Sequence, residues 1–94
     1  MSPAPMTSIS TTSSRKRRAK YVIYLLNDEF NSFEHIIKVL TTFIPHCNAS
    51  RAESIAMITH TTGKCDIIRV YEPDHVVIFA QLLKAGLTIK IERA

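Results

Sequence analysis

Three hydrophobic patterns in a fixed order predict an α/β (α+β) fold: a single small domain in which one sheet carries helices on one face. A short β-branched and aromatic run, Tyr21 to Leu26, reads as a strand closed by a polar corner at Asn27-Asp28. Apolar residues then recur at helical spacing through Phe33, Ile36, Ile37, Leu40 and Phe43 or Ile44. Near the end, Leu87, Ile89 and Ile91 alternate with Thr88, Lys90 and Glu92, the mark of a half-buried strand.

Each element has its own boundary chemistry. Asn31 followed by Glu34 resembles a capping box, in which Asn31 accepts an orphan N–H of the first turn and Glu34 reaches back. Pro45 ends this helix, because residues before proline avoid the α region. Asn48 or Ser50 can cap a second helix with Ala52, Ile55, Ala56, Met57 and Thr59 facing inward, and Gly63 supplies its left-handed stop. His60 falls in its last turn. Ile67, Ile68, Val70 and Tyr71 mark a strand from Lys64 to about Tyr71, and Pro73 suits the first position of a third helix. Val76, Val77, Phe79, Ala80, Leu82 and Leu83 make that helix apolar around much of its girth, with Gly86 closing it. The order is β-α-α-β-α-β.

Residues 1 to about 19 are rich in Ser, Thr and Pro without apolar periodicity, so they are expected to form a flexible arm preceding a domain at residues 20–94. The net charge of +4 is concentrated there: Arg15, Lys16, Arg17, Arg18 and Lys20 leave seven basic against eight acidic residues elsewhere. The folded part is therefore nearly neutral, and a generic nucleic-acid face is not indicated. No apolar run approaches the ~18–20 residues that cross a bilayer, so a soluble domain with no membrane partner is expected. Cys47 and Cys65 lack CxxC spacing and a secretory signal, which favours reduced thiols inside a cell. The expected location is the cytoplasm, or the plastid stroma if the Ser-rich, acid-free head is a targeting segment.

Chemical candidates are few. The four histidines and two cysteines show none of the paired spacings that prearrange zinc ligands, and with only Gly63 and Gly86 there is no phosphate loop. Nothing locates the orienting group or oxyanion site that Cys–His catalysis needs, so neither an enzyme nor a cofactor is expected. What remains is the Asn27-Asp28 corner, with His60 as the later polar group able to fold against it. Taken singly, Asn27 and Asp28 suit a turn and His60 suits a helix C-terminus.

Leu26-Asn27-Asp28-Glu29-Phe30-Asn31-Ser32-Phe33-Glu34, then Thr59-His60-Thr61-Thr62-Gly63-Lys64, then Leu87-Thr88-Ile89-Lys90-Ile91-Glu92 resemble the ClpS family, adaptors that hand N-degron substrates to Clp AAA+ unfoldases. The resemblance spans about residues 20–92 and implies a three-stranded antiparallel sheet covered by three helices. It implies that Asn27, Asp28 and His60 grip the free α-amino group of a substrate. Physically these are suitable partners: an ammonium brings three donors and a charge, and a carbonyl, a carboxylate and an unprotonated imidazole nitrogen can accept them. The resemblance also places Asn31 against the substrate backbone, Phe33 as gatekeeper, Thr59 on the wall and Leu87 on the floor of a side-chain pocket, with Val39 and Ala56 lining it.

Departures from the family pattern narrow the expected preference. Many members carry Met where Phe33 stands and Val where Thr59 stands, and a bulky gate with a partly polar wall should favour Leu over Trp. The expected partners are a ClpA/ClpC-type unfoldase and proteins with a hydrophobic N-terminal residue; a monomer suits a one-site adaptor. Two other readings stand beside this one: a regulator of the unfoldase whose pocket Phe33 occludes, and a ribosome- or RNA-associated small α/β protein.

Overall fold

The computed structural model describes residues 18–94. The expected arm, residues 1–19, lies outside the described residues except for Arg18 and Ala19. Ala19 already belongs to the domain: its N–H donates to a Glu72 carboxylate oxygen at 3.1 Å, and its carbonyl accepts from the Glu72 N–H at 2.9 Å. Six elements follow: β1 (Lys20–Leu26), α1 (Phe33–Phe43), α2 (Ala49–Thr62), β2 (Lys64–Tyr71), α3 (Asp74–Lys84) and β3 (Ile89–Arg93). The sheet is antiparallel throughout, in the order β2-β1-β3. No helix among the described residues is long and apolar enough to cross a membrane.

The first strand takes the centre of the sheet because its apolar side chains have a partner on either side. Ile23 lies opposite Ile68 and Ile91, and Leu25 opposite Cys65 and Ile89. Between Ile23 and Tyr24 the pairing with β2 shifts by one residue, leaving Ile67 as the extra residue of a bulge. Ile67 is nevertheless buried, and with Ile23, Leu25, Leu40 and Leu82 it forms the heart of the core. Burial of each such side chain is worth about 1.5–3 kcal/mol.

Helix α1 presents Ile36, Val39 and Leu40 to this core, as its stripe predicts. Helix α2 presents Ala52, Ile55, Ala56 and Thr59, and Ala52 and Ala56 join the buried core. Asn48 caps α2 by accepting from the Arg51 N–H at 2.8 Å, and Gly63 ends it at φ 98°, a left-handed conformation that glycine adopts without a Cβ clash.

Several local expectations change. The N-cap of α1 is Ser32, whose hydroxyl accepts from the His35 N–H at 3.1 Å. Asn31 does not cap, because its backbone N–H and its amide are already bonded to Asp28. Pro73 is the cap of α3, one position before the helix. Strand β3 starts at Ile89, since Leu87 and Thr88 belong to the connection that returns from α3. Met57 was expected to face inward but is 52% exposed. The apolar girth of α3 is only partly used: Leu82 is buried, whereas Val76, Val77 and Leu83 are exposed.

Candidate functional site

The polar corner is assembled by contacts from three separate parts of the chain. At the end of β1 the Leu26 N–H donates to the Thr88 carbonyl at 2.8 Å, and the Asn27 N–H donates to the Gly63 carbonyl at 3.0 Å. The second bond ties the corner directly to the C-terminal end of α2, one turn from His60. Gly86, at φ 95°, turns the chain after α3. That connection is strapped to the start of α1: the Asn31 amide donates to the Gly86 carbonyl at 3.0 Å, and His35 Nε2 donates to the Ala85 carbonyl at 2.8 Å. Leu87 and Thr88 are thereby delivered beside Asp28.

Asp28 is the organiser of the corner. One carboxylate oxygen accepts the backbone N–H groups of Phe30 and Asn31, each at 2.9 Å. The other accepts the Asn31 amide at 2.8 Å and the Thr88 hydroxyl at 2.5 Å. Desolvation pushes the carboxyl pKa up, but the hydrogen bonds from Thr88, Asn31 and Phe30 outweigh it and bring the value down from 3.8 to about 2. The group is therefore a fixed anion at any physiological pH. Its four internal bonds fill the lone-pair directions of a carboxylate, so it attracts a cation chiefly through its charge.

His60 stands in the last turn of α2, exposed, with its ring in edge contact with Phe33 at a centroid separation of 5.6 Å and an interplanar angle of 77°. Asn27 is exposed at the corner, and Phe30 beside it is 92% exposed. The Asn31 amide gives both its N–H bonds to Asp28 and Gly86, which leaves its oxygen as the acceptor that faces away from those bonds.

The expected side-chain pocket has a different character. Val39, Ala56, Thr59 and Leu87 are 5%, 1%, 2% and 2% exposed, and half-buried Phe33 packs against the same core. These walls are closed together. The Thr59 hydroxyl, expected to make the wall partly polar, instead donates to the Ile55 carbonyl at 2.8 Å within its own helix. A recess of about 450 Å³ is lined by Phe33 together with Glu53, Ser54, Met57 and Ile58.

Sequence reasoning missed Thr88, His35 and the carbonyls of Ala85 and Gly86. Thr88 reaches Asp28 across 60 positions, and no local pattern announces such a contact. Among the described residues, no three His, Cys, Asp or Glu side chains are gathered as metal ligands would be.

Comparison with known proteins agrees with this architecture. The family model for the ATP-dependent Clp protease adaptor protein ClpS matches residues 16–86. An ATP-dependent Clp protease adapter protein ClpS from Thermosynechococcus vestitus is 34% identical over 76 residues, covering 80% of either chain. The Synechococcus elongatus protein of the same name is 36% identical over 87 residues, covering 87% of this chain and 86% of its own. Among solved structures, Agrobacterium tumefaciens ClpS2 bound to L-phenylalaninamide superposes with a TM-score of 0.69 at 18% identity, covering 83% of this chain and 100% of that one. That likeness is one of fold; the family model and the sequence relatives carry the assignment, and the chain belongs to the ClpS family of Clp protease adaptors.

Proposed function

We propose that this adaptor binds the free α-amino group and the hydrophobic first side chain of substrate proteins, Leu above Trp, and delivers them to a ClpA/ClpC-type unfoldase in the cytoplasm or the plastid stroma. The observation that carries the reading is the corner: an anion held at a pKa of about 2 by its hydrogen bonds to Phe30, Asn31 and Thr88, with the Asn27–Gly63 bond tying it to the end of α2, one helical turn from His60. An ammonium at that place meets the field of Asp28, the side-chain oxygens of Asn27 and Asn31, and an unprotonated nitrogen of His60. Acetylating the amine removes its charge and two of its donors.

The relative from Agrobacterium tumefaciens is bound to L-phenylalaninamide, a molecule with a free α-amino group beside an apolar side chain. That chemistry supports the same use of the corner here. The preference for Leu rests on closure: Val39, Ala56, Thr59 and Leu87 are at most 5% exposed, so a first side chain enters only as Phe33 swings aside. Leu demands less displacement than Trp.

The same closure favours a second reading, in which Phe33 occludes the pocket and the protein only regulates the unfoldase. Fluorescence anisotropy of peptides that differ only in their first residue (Leu, Phe, Tyr, Trp, Ile, Arg or Gly) separates the two. Binding confined to free hydrophobic starts, with Leu ahead of Trp, supports the adaptor reading. Indifference to the first residue sinks it and leaves the regulator.

A further inference from the structure

The recess at Phe33 is unexplained by recognition of a first residue. It is formed by the outward face of α2, where Met57 and Ile58 are 52% and 46% exposed, together with Phe33, Ser54 and Glu53. Two adjacent large apolar side chains left in water on a helix whose inner face is otherwise well used call for a partner. Phe33 links the recess to His60, since its ring is in edge contact with the His60 ring and also lines the recess. His60, Met57 and Glu53 lie on one face of α2, separated by three and then four positions.

We propose that this groove is a second subsite, which takes the side chains following the first residue of the substrate and favours apolar residues followed by a basic one. The inference rests on the amine-binding reading of the corner, because that reading fixes where the substrate chain begins. From His60 to Glu53 is about 10 Å along the helix, and an extended peptide covers that distance in about three residues. A chain whose amine sits at the corner therefore lays its second and third side chains over Phe33, Met57 and Ile58. Its fourth arrives at the Glu53 carboxylate, which attracts Lys or Arg and repels Asp or Glu. The occupant is the substrate itself, since the groove continues from the corner through a shared side chain and its acidic end complements a basic residue.

The test uses four labelled peptides that all begin with a free Leu, continue as Leu-Leu-Lys, Leu-Leu-Glu, Ser-Ser-Lys or Ser-Ser-Glu, and end in a common tail, each with an N-acetyl counterpart. The full chain should bind the Leu-Leu peptides about tenfold more tightly than the Ser-Ser peptides, and Lys about threefold better than Glu. Glu53→Lys should invert the Lys-to-Glu preference, and Met57→Ser with Ile58→Ser should erase the apolar one, while discrimination against acetylation persists in both. All three positions are exposed, so these variants should fold. Equal binding of the four free peptides with acetylation still penalised overturns the subsite alone, as does a Lys-to-Glu ranking unchanged by Glu53→Lys. Loss of the acetylation penalty in the unsubstituted protein overturns the amine-binding reading, and the subsite with it.

Discussion

The two halves of the binding region are held by opposite kinds of force. At the corner, Asp28 gathers four hydrogen bonds from the backbone, Asn31 and Thr88, and those bonds fix direction as well as distance. At the wall, Val39, Ala56 and Leu87 are held by burial, which is strong but non-directional. A polar network of this sort is rigid and intolerant of partial loss, whereas an apolar wall can repack around what enters. Under the proposed function, the corner would decide whether a ligand is an N-terminus, and the wall which one.

Substitutions can break this contrast. Leu87→Ala removes a side chain that is 2% exposed and should destabilise the domain by about 3 kcal/mol in urea unfolding, while the acetylation penalty of any bound peptide survives. Asp28→Ala should cost about 2 kcal/mol, because it strands several donors at once, and it should abolish recognition of the free amine in the same anisotropy assay. A large stability loss with amine recognition intact would show that the corner is only a turn.

Thr88→Val sharpens the contrast at smaller amplitude. Loss of its bond to Asp28 should cost about 1 kcal/mol and raise the Asp28 pKa from about 2 toward 3.8. The sign follows from linkage: a carboxyl with a lowered folded-state pKa contributes stability that is complete above its unfolded value of 3.8 and is lost as pH falls through about 2. The variant should therefore lose the contribution at higher pH, which carboxyl chemical shifts and acid unfolding both report. Thr59→Val should shift stability by no more than about 0.5 kcal/mol and leave the ranking of first residues unchanged, because the hydroxyl faces the Ile55 carbonyl of its own helix. A changed ranking would mean that the hydroxyl does reach the pocket.

The same contrast explains what could be read from the sequence. The stripe through Ile36, Val39 and Leu40 and the alternation near the C-terminus express burial, and burial leaves a periodic trace. The glycine stop at Gly63 and the Asn48 cap are local backbone chemistry and were equally legible. The partners of Asp28 were not, because Thr88 and the Gly86 strap come from the far end of the chain. Asn31 looked like a cap since its type suits one; only the tertiary bonds to Asp28 and Gly86 hand that role to Ser32. Met57 and the outer valines of α3 were misplaced for a related reason: hydrophobicity says that a residue can be buried, and the covering element decides whether it is.

The most direct measurement is the acetylation penalty for a Leu-initiated peptide, determined with the unsubstituted protein and with His60→Ala under identical conditions. A corner that reads the ammonium with the help of His60 predicts a penalty of about a hundredfold in the first and one about tenfold smaller in the second, because the variant has lost one of the acceptors that distinguish the two peptides. An equal penalty in both proteins would contradict the account.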